Sequence, residues 1–170
     1  MATEQGTNSP ADPTYRQYTR EQAATYAKHR PSPPPALVKL ILDYHTSTGG
    51  CTDVLLDVGC GPGMATRALA KHFDVAVGSD AGESMIQVAN ELGGQTATGG
   101  QIRWVVCPAE EVGQIDGVEK QTVDLVVAAY AVSLPTLSQE GKKVTKIVAL
   151  DTNRHTGSIC LSSGLLPPRS

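Results

Sequence analysis

Large aromatic side chains are nearly missing from this sequence. Phe, Trp and Tyr make up 4% of it, with one Trp and one Phe. A core therefore has to be assembled from Val, Leu, Ile and Ala. Charge is also sparse at 18%, with 14 basic residues against 17 acidic and a net of −3. That balance gives no support to general electrostatic binding of nucleic acid, and no such partner is expected. Long apolar runs are absent too. The longest, Val123 to Val132, contains Asp124 and is too short to cross a bilayer, so no membrane partner is expected. Residues 1–20 are polar and lack the apolar stretch of a secretory signal, which makes the cytoplasm the expected location. Cys51, Cys60, Cys107 and Cys160 form no C-x-x-C pair, and none sits with a His at zinc-finger spacing. They are expected to be reduced thiols. His29, His45, His72 and His155 are scattered and are expected on the surface or partly packed, with no metal site.

The 40% of hydrophobic residues in a chain of 170 suffices for one folded domain. Residues 1–13 are rich in Thr, Ser, Asn, Asp, Gly and Pro and are expected to be a disordered tail. The folded domain is expected over 14–163, with 164–170 a C-terminal tail. Thr19 with Gln22 three residues on forms a capping box, which predicts a helix to about Lys28. The prolines at 31 and 33–35 break it. Leu37, Leu40, Ile41 and Tyr44 mark the apolar face of a second helix, stopped by Gly49-Gly50. Val54–Val58 then reads as a strand buried on both faces. Ala65, Ala68, Leu69 and His72 give a helical stripe, and Val75–Val77 a second strand. Met85, Val88, Ala89 and Leu92 fit another helix, followed by a glycine–threonine loop over 93–100. Ile102–Val106 and Val123–Ala129 are the third and fourth strands. Val144, Ile147 and Val148 suggest a helix over 142–150, and Ser158–Ser162 a fifth strand. The alternation predicts an α/β fold, a Rossmann-like doubly wound and mostly parallel sheet with helices on both faces.

The informative segment is Asp57-Val58-Gly59-Cys60-Gly61-Pro62-Gly63, between the first strand and a helix. Its glycines let backbone turn tightly and approach a ligand. The following helix offers unpaired amides. Asp80 ends the second strand, where a carboxylate can accept both hydroxyls of a ribose. A glycine turn without a ligand is the bland alternative, and the agreement of strand, helix and second acid argues against it. The spacing is G-x-G-x-G, not the G-x-G-x-x-G of dinucleotide sites, which disfavours a nicotinamide-dependent dehydrogenase. Asp57 would repel a pyrophosphate but suits a ligand bearing an ammonium group.

Asp57-x-Gly59-x-Gly61-x-Gly63, followed by Gly78-Ser79-Asp80 and Glu83-Ser84-Met85-Ile86, resembles the class I S-adenosylmethionine-dependent methyltransferases. Cys107-Pro108-Ala109-Glu110-Glu111 resembles their adenine-binding turn. The stretch from Tyr18 through Tyr26 to Arg30-Pro31 is similar to the small-acid methyltransferases of the trans-aconitate type common in fungi. The resemblance covers residues 14–132 and implies S-adenosylmethionine as cofactor. It implies that Asp57, Gly59, Cys60, Gly61 and Gly63 bind the methionine end and that Asp80, with Ala81 beside it, holds the ribose. Met85, Ala109 and Glu110 would contact the adenine. Ala129 and Tyr130 would line the methyl side, and Tyr26 and Arg30 are candidates for the acceptor. Met85 reads equally well as a core residue and Glu110 as a solvated acid.

The implied activity is methyl transfer to a small-molecule acceptor. A carboxylic acid would be already ionised and would need only a cation to place it, such as Arg30, Arg20 or Lys28. No residue is assigned as catalytic, because no general base stands out. The family fold has seven strands, the last two at an antiparallel edge, and five are expected here. The residues after Ala131 also depart from the family. The alternative reading is therefore an inactive, truncated methyltransferase fold that at most binds the cofactor, with its fifth strand an exposed edge.

Overall fold

The computed structural model describes residues 17–116, 118, 123–129, 147–151 and 158–162, with Ala129 and the last two segments as backbone only. The tails expected at 1–13 and 164–170, and Tyr130, lie outside the described residues.

Helix α1, Arg20–His29, begins at the expected capping box: Thr19 Oγ accepts from the Gln22 amide and the Gln22 side chain accepts from the Thr19 amide. Such a cap contributes about 0.5–2 kcal/mol. Helix α2, Pro35–Ser47, starts on a proline, whose missing amide costs nothing in a first turn. Strand β1 is Val54–Val58, α3 Met64–Ala70, β2 Val75–Asp80, α4 Glu83–Leu92 and β3 Arg103–Val106. A 3-10 turn over Ala109–Gln114 precedes β4, Leu125–Ala129. Strands β5, Ile147–Asp151, and β6, Ser158–Ser162, complete the described elements.

The sheet runs β3-β2-β1-β4-β5-β6. All pairings are parallel except β5 with β6. Two expectations are corrected here. The segment read as a helix over 142–150 contributes a strand at 147–151, because Ile147-Val148-Ala149-Leu150 is a short continuous apolar run. Its spacing alone does not separate helix from buried strand. Ser158–Ser162 is therefore the sixth strand, and it pairs antiparallel along β5. Ser158–Ser162 still ends the sheet among the described strands, as expected for an edge, now as the sixth strand.

Alternation along the strands feeds two cores. Leu55, Leu125 and Val127 face Ile41, Leu69 and Phe73 on the side of α2 and α3. Val54, Leu56, Val58, Val126 and Ala128 face Val112, Ile115 and Val118 on the other side. Each such fully buried aliphatic side chain stabilises the fold by about 1.5–3 kcal/mol. A third cluster joins α1 to α4 through Ala23, Ala27, Met85 and Val88, with Arg20 paired to Glu91 at its edge.

The apolar faces of α2 and α3 differ in phase from their sequence reading. In α3 the buried positions are Thr66, Leu69 and Ala70, while His72 is exposed. In α2, Leu40 is half-exposed and His45 is wholly buried, its Nε2 at 2.6 Å from the Cys51 carbonyl. In α4 the expected phase holds, with Met85, Val88 and Ala89 buried; Ile86 joins them and Leu92 is exposed. At the N-terminal end of the sheet, buried Asp124 accepts from the amides of Asp53 and Val54 and so ties β4 to β1. Cys51, Asp53 and Asp124 bring possible metal-ligand atoms within 4.8 Å of one another there. The amides already occupy one Asp124 oxygen, and we assign the group to anchoring.

Candidate cofactor site

The strand order reverses between β1 and β4, since the chain steps from β1 outward to β2 and β3 and then returns to β4. In open parallel sheets the crevice beyond the C-terminal strand ends at such a reversal is where ligands bind. The glycine loop sits there, directly after β1. Gly59, Gly61 and Gly63 all take positive φ, at 70°, 54° and 81°. Side chains rarely adopt that conformation.

The glycines differ in what surrounds them. A Cβ on Gly61 would meet no atom within 4 Å, so its missing side chain leaves open space. A Cβ on Gly63 would run into the Trp104 ring, and one on Gly78 would come within 2.6 Å of Trp104 Cε3 and Cζ3. Gly63 and Gly78 therefore make room for an indole. Gly78 is the β2 partner of Trp104 on β3. The Arg67 guanidinium lies over the same ring at 5.8 Å, and Arg67 Nη2 donates toward Met64 Sδ at 3.0 Å. Desolvation lowers the Arg67 pKa.

Asp57 is wholly buried on the α3 side of β1. Its Oδ2 accepts from Thr66 Oγ at 2.6 Å, and its Oδ1 is buried without a hydrogen-bond partner. Desolvation by burial is the main cause that pushes its carboxyl up to about 7; the Thr66 hydroxyl acts against this and Asp80 adds to it. A buried carboxylate oxygen with nothing to accept from is costly unless a donor arrives. That atom, in the strand that leads into the loop, fits a ligand with a cationic amino-acid end.

Asp80 ends β2 and is half-buried. Its Oδ2 accepts from the Gly61 amide at 2.8 Å and its Oδ1 from the Gly82 amide at 2.8 Å. It ties the glycine loop to the start of α4, and each oxygen keeps a second lone pair. Cys60 is buried in the loop, and its thiol pKa is pushed well up by desolvation, with Asp57 and Asp80 adding to it. The Cys107 amide donates to the Asp80 carbonyl, which brings the start of the 3-10 turn against the end of β2. Ala109 is half-buried and Glu110 exposed in that turn, and Ala81 is half-buried beside Asp80. Met85 is 2% exposed and packed within the α1–α4 cluster. Ala129 closes β4 at the reversal point.

Tyr26 and Arg30 belong to α1 and its C-cap. Arg30 Cζ stands 5.5 Å from the Tyr26 ring centroid, and Tyr18 meets that ring edge-on at 6.3 Å. Because α1 packs on α4, these residues ride on the helix that follows Asp80. Sequence reasoning missed Thr66 and Trp104. Thr66 is legible in retrospect as a polar residue on the buried face of α3. Trp104 has no local signal, because its partners are distant in sequence.

The sheet order and the loop at its reversal define the class of protein: an α/β fold built to hold a nucleoside-bearing cofactor. A family model described as a methyltransferase domain matches residues 55–151. A Saccharomyces cerevisiae protein named as a probable S-adenosylmethionine-dependent methyltransferase is 29% identical over 130 residues, 76% of this chain and 43% of that protein. A methyltransferase of Pestalotiopsis fici is 30% identical over 120 residues, covering 67% of this chain and 35% of that one. An S-adenosylmethionine-dependent methyltransferase structure from Clostridium acetobutylicum shares the fold at a TM-score of 0.50 and 19% identity, over 65% of this chain and 43% of that one. The chain belongs to the class I S-adenosylmethionine-dependent methyltransferase superfamily, whose cofactor is S-adenosylmethionine. It spans less than half the length of these two curated relatives.

Proposed function

We propose that the chain binds S-adenosylmethionine at the glycine loop and directs its methyl group to a small-molecule acceptor, with a carboxylic acid the favoured chemistry. The observation that carries this reading is the buried, unpartnered Oδ1 of Asp57, in the strand that leads into a glycine loop with open space at Gly61. Asp57 would receive the ammonium group, Gly59, Cys60, Gly61 and Gly63 would wrap the methionine end, and Asp80 and Ala81 would meet the ribose. Ala109, Glu110 and Met85 would stand on the adenine side. When bound, the cofactor supplies an electrophilic methyl on a sulfonium.

The protein's share of the chemistry is placement. Holding an acceptor in line and close supplies a large part of such a rate. A carboxylate acceptor is ionised at neutral pH and needs no general base. It needs a cation, and Arg30 beside Tyr26 is our candidate, with Ala129 and Tyr130 on the methyl side. A second reading is cofactor binding without turnover; the departure from the family expected after Ala131 does not carry it, because the family model matches on through residue 151.

Calorimetry with S-adenosylmethionine tests the binding. Asp80→Ala should weaken it by roughly tenfold or more, since hydrogen bonds to a charged group are worth about 1.5–3 kcal/mol. A variant that binds as well as the parent removes Asp80 from the site. Transfer of labelled methyl to a panel of small carboxylic acids, trans-aconitate included, tests turnover. Binding without transfer to any of them supports the second reading.

A further inference from the structure

Thr66 is not among the residues that the glycine motif or the family resemblance marks, yet the polar contacts recorded for the Asp57 side chain among the described residues come from it, chiefly from its hydroxyl and more weakly from its backbone amide. Both residues are 0% exposed. Thr66 Oγ donates to Asp57 Oδ2 at 2.6 Å, while Oδ1 accepts from nothing. The contact crosses from the first turns of α3 to the strand in front of the loop. It therefore fixes both the torsion of the carboxylate and which of its oxygens is left over.

We propose that Thr66 is a positioning residue that commits Asp57 Oδ2 and presents Oδ1 as the single atom for which a proton and the cofactor's ammonium group compete. The proposal rests on cofactor binding at the glycine loop as set out above. Its consequence is stoichiometric. While Thr66 remains the donor to Oδ2, protonation of Asp57 falls on Oδ1. An arriving ammonium then displaces that proton to solvent, one proton for each cofactor bound. When Asp57 is ionised, binding releases no proton from it.

The neighbours of Asp57 are consistent with one titrating atom. Asp80, at the end of β2, is the charge that pushes the Asp57 carboxyl further up. Cys60, in the loop, has its thiol pushed well above its ordinary range and stays neutral. Arg67, beside Thr66 on α3, acts on Cys60 and lies over Trp104. Val127, the β4 partner of Asp57, brings no charge. The Thr66 hydroxyl opposes the upward push of burial. A hydroxyl that favours the charged form lowers a carboxyl pKa, so its removal raises it.

The experiment uses the full chain and its Thr66→Val and Thr66→Ser variants. Thr66→Val keeps the buried volume and removes the donor; Thr66→Ser keeps the donor. Calorimetry with S-adenosylmethionine across pH, in buffers of differing ionisation enthalpy, reads both affinity and protons released. In the parent, proton release should approach one per site well below pH 7 and vanish well above it. In Thr66→Val the midpoint should move up by about one pH unit, and Thr66→Ser should restore it. Carbon NMR of the Asp57 carboxyl, without ligand, should show the same shift, and circular dichroism reports whether each variant folds. If Thr66→Val does not fold, Thr66→Ala takes its place. Binding with an unchanged midpoint in the valine variant overturns the role of Thr66 alone. No binding by the folded parent overturns both the function proposed above and the competition at Oδ1.

Discussion

Asp57→Asn is expected to make the protein more stable at neutral pH and to strip it of cofactor affinity. The sign follows from burial. Desolvation raises the Asp57 carboxyl to about 7 from 3.8. In the unfolded chain it ionises at its ordinary value, so the folded state holds a proton that the unfolded state has lost between these two values. Stability is fully present below the lower value, falls as pH rises from about 4 to 7, and stays reduced above that. Asparagine carries no charge and escapes this loss. The difference in Tm between variant and parent should therefore be small near pH 4, grow through the window and level off above pH 7. Its plateau corresponds to a stability gain on the order of a few kcal/mol. Cofactor affinity should move the other way and fall by about 10- to 100-fold, because the ammonium group loses its carboxylate. Thermal scans and calorimetry over the same pH series check both halves. A stability difference that is flat with pH, or unchanged affinity, refutes the role given to Asp57.

Gly61 should be the loop glycine most sensitive to blockage. It has φ +54° and nothing within 4 Å of where a Cβ would stand, so the constraint on it comes from conformation and from what must approach. Gly61→Val meets both. A branched side chain in the left-handed region costs about 1–3 kcal/mol, and the same atoms occupy the open face. Asparagine tolerates this backbone region, so Gly61→Asn separates the effects. The asparagine variant should melt close to the parent and still lose roughly tenfold to a hundredfold in affinity for S-adenosylmethionine, by overfilling of about 1–3 kcal/mol. The valine variant should lose stability as well. Calorimetry that finds parental affinity in both variants would remove the ligand from this face of the loop.

Much of this site was legible because its signals are local. The capping box at Thr19 and Gln22, the apolar run of β1, the glycine triplet and the acid closing β2 each lie within a few neighbouring residues. The structure assembles them at the strand reversal. What escaped depends on partners remote in sequence. Nothing near Gly63 announces Trp104, so that glycine reads as ligand-facing, although an indole fills the space above it and above Gly78. His45 sits in a helix whose apolar spacing pointed to Leu40 and Tyr44, and its burial depends on Phe73 and the Cys51 carbonyl. The strand at 147–151 was hidden because four apolar residues in a row carry no period. Its neighbours β4 and β6 decide the matter.

The packing of Trp104 has a practical side. The indole is the chain's single tryptophan, and one edge of its six-membered ring lies against both Gly63 and Gly78, with a guanidinium across its face. Gly63 closes the loop and Gly78 lies in the strand that leads to Asp80. A shift of the backbone at Gly63 would therefore change the surroundings of one fluorophore, with no second tryptophan to blur the emission. The protein carries its own optical gauge of loop position, readable without labels.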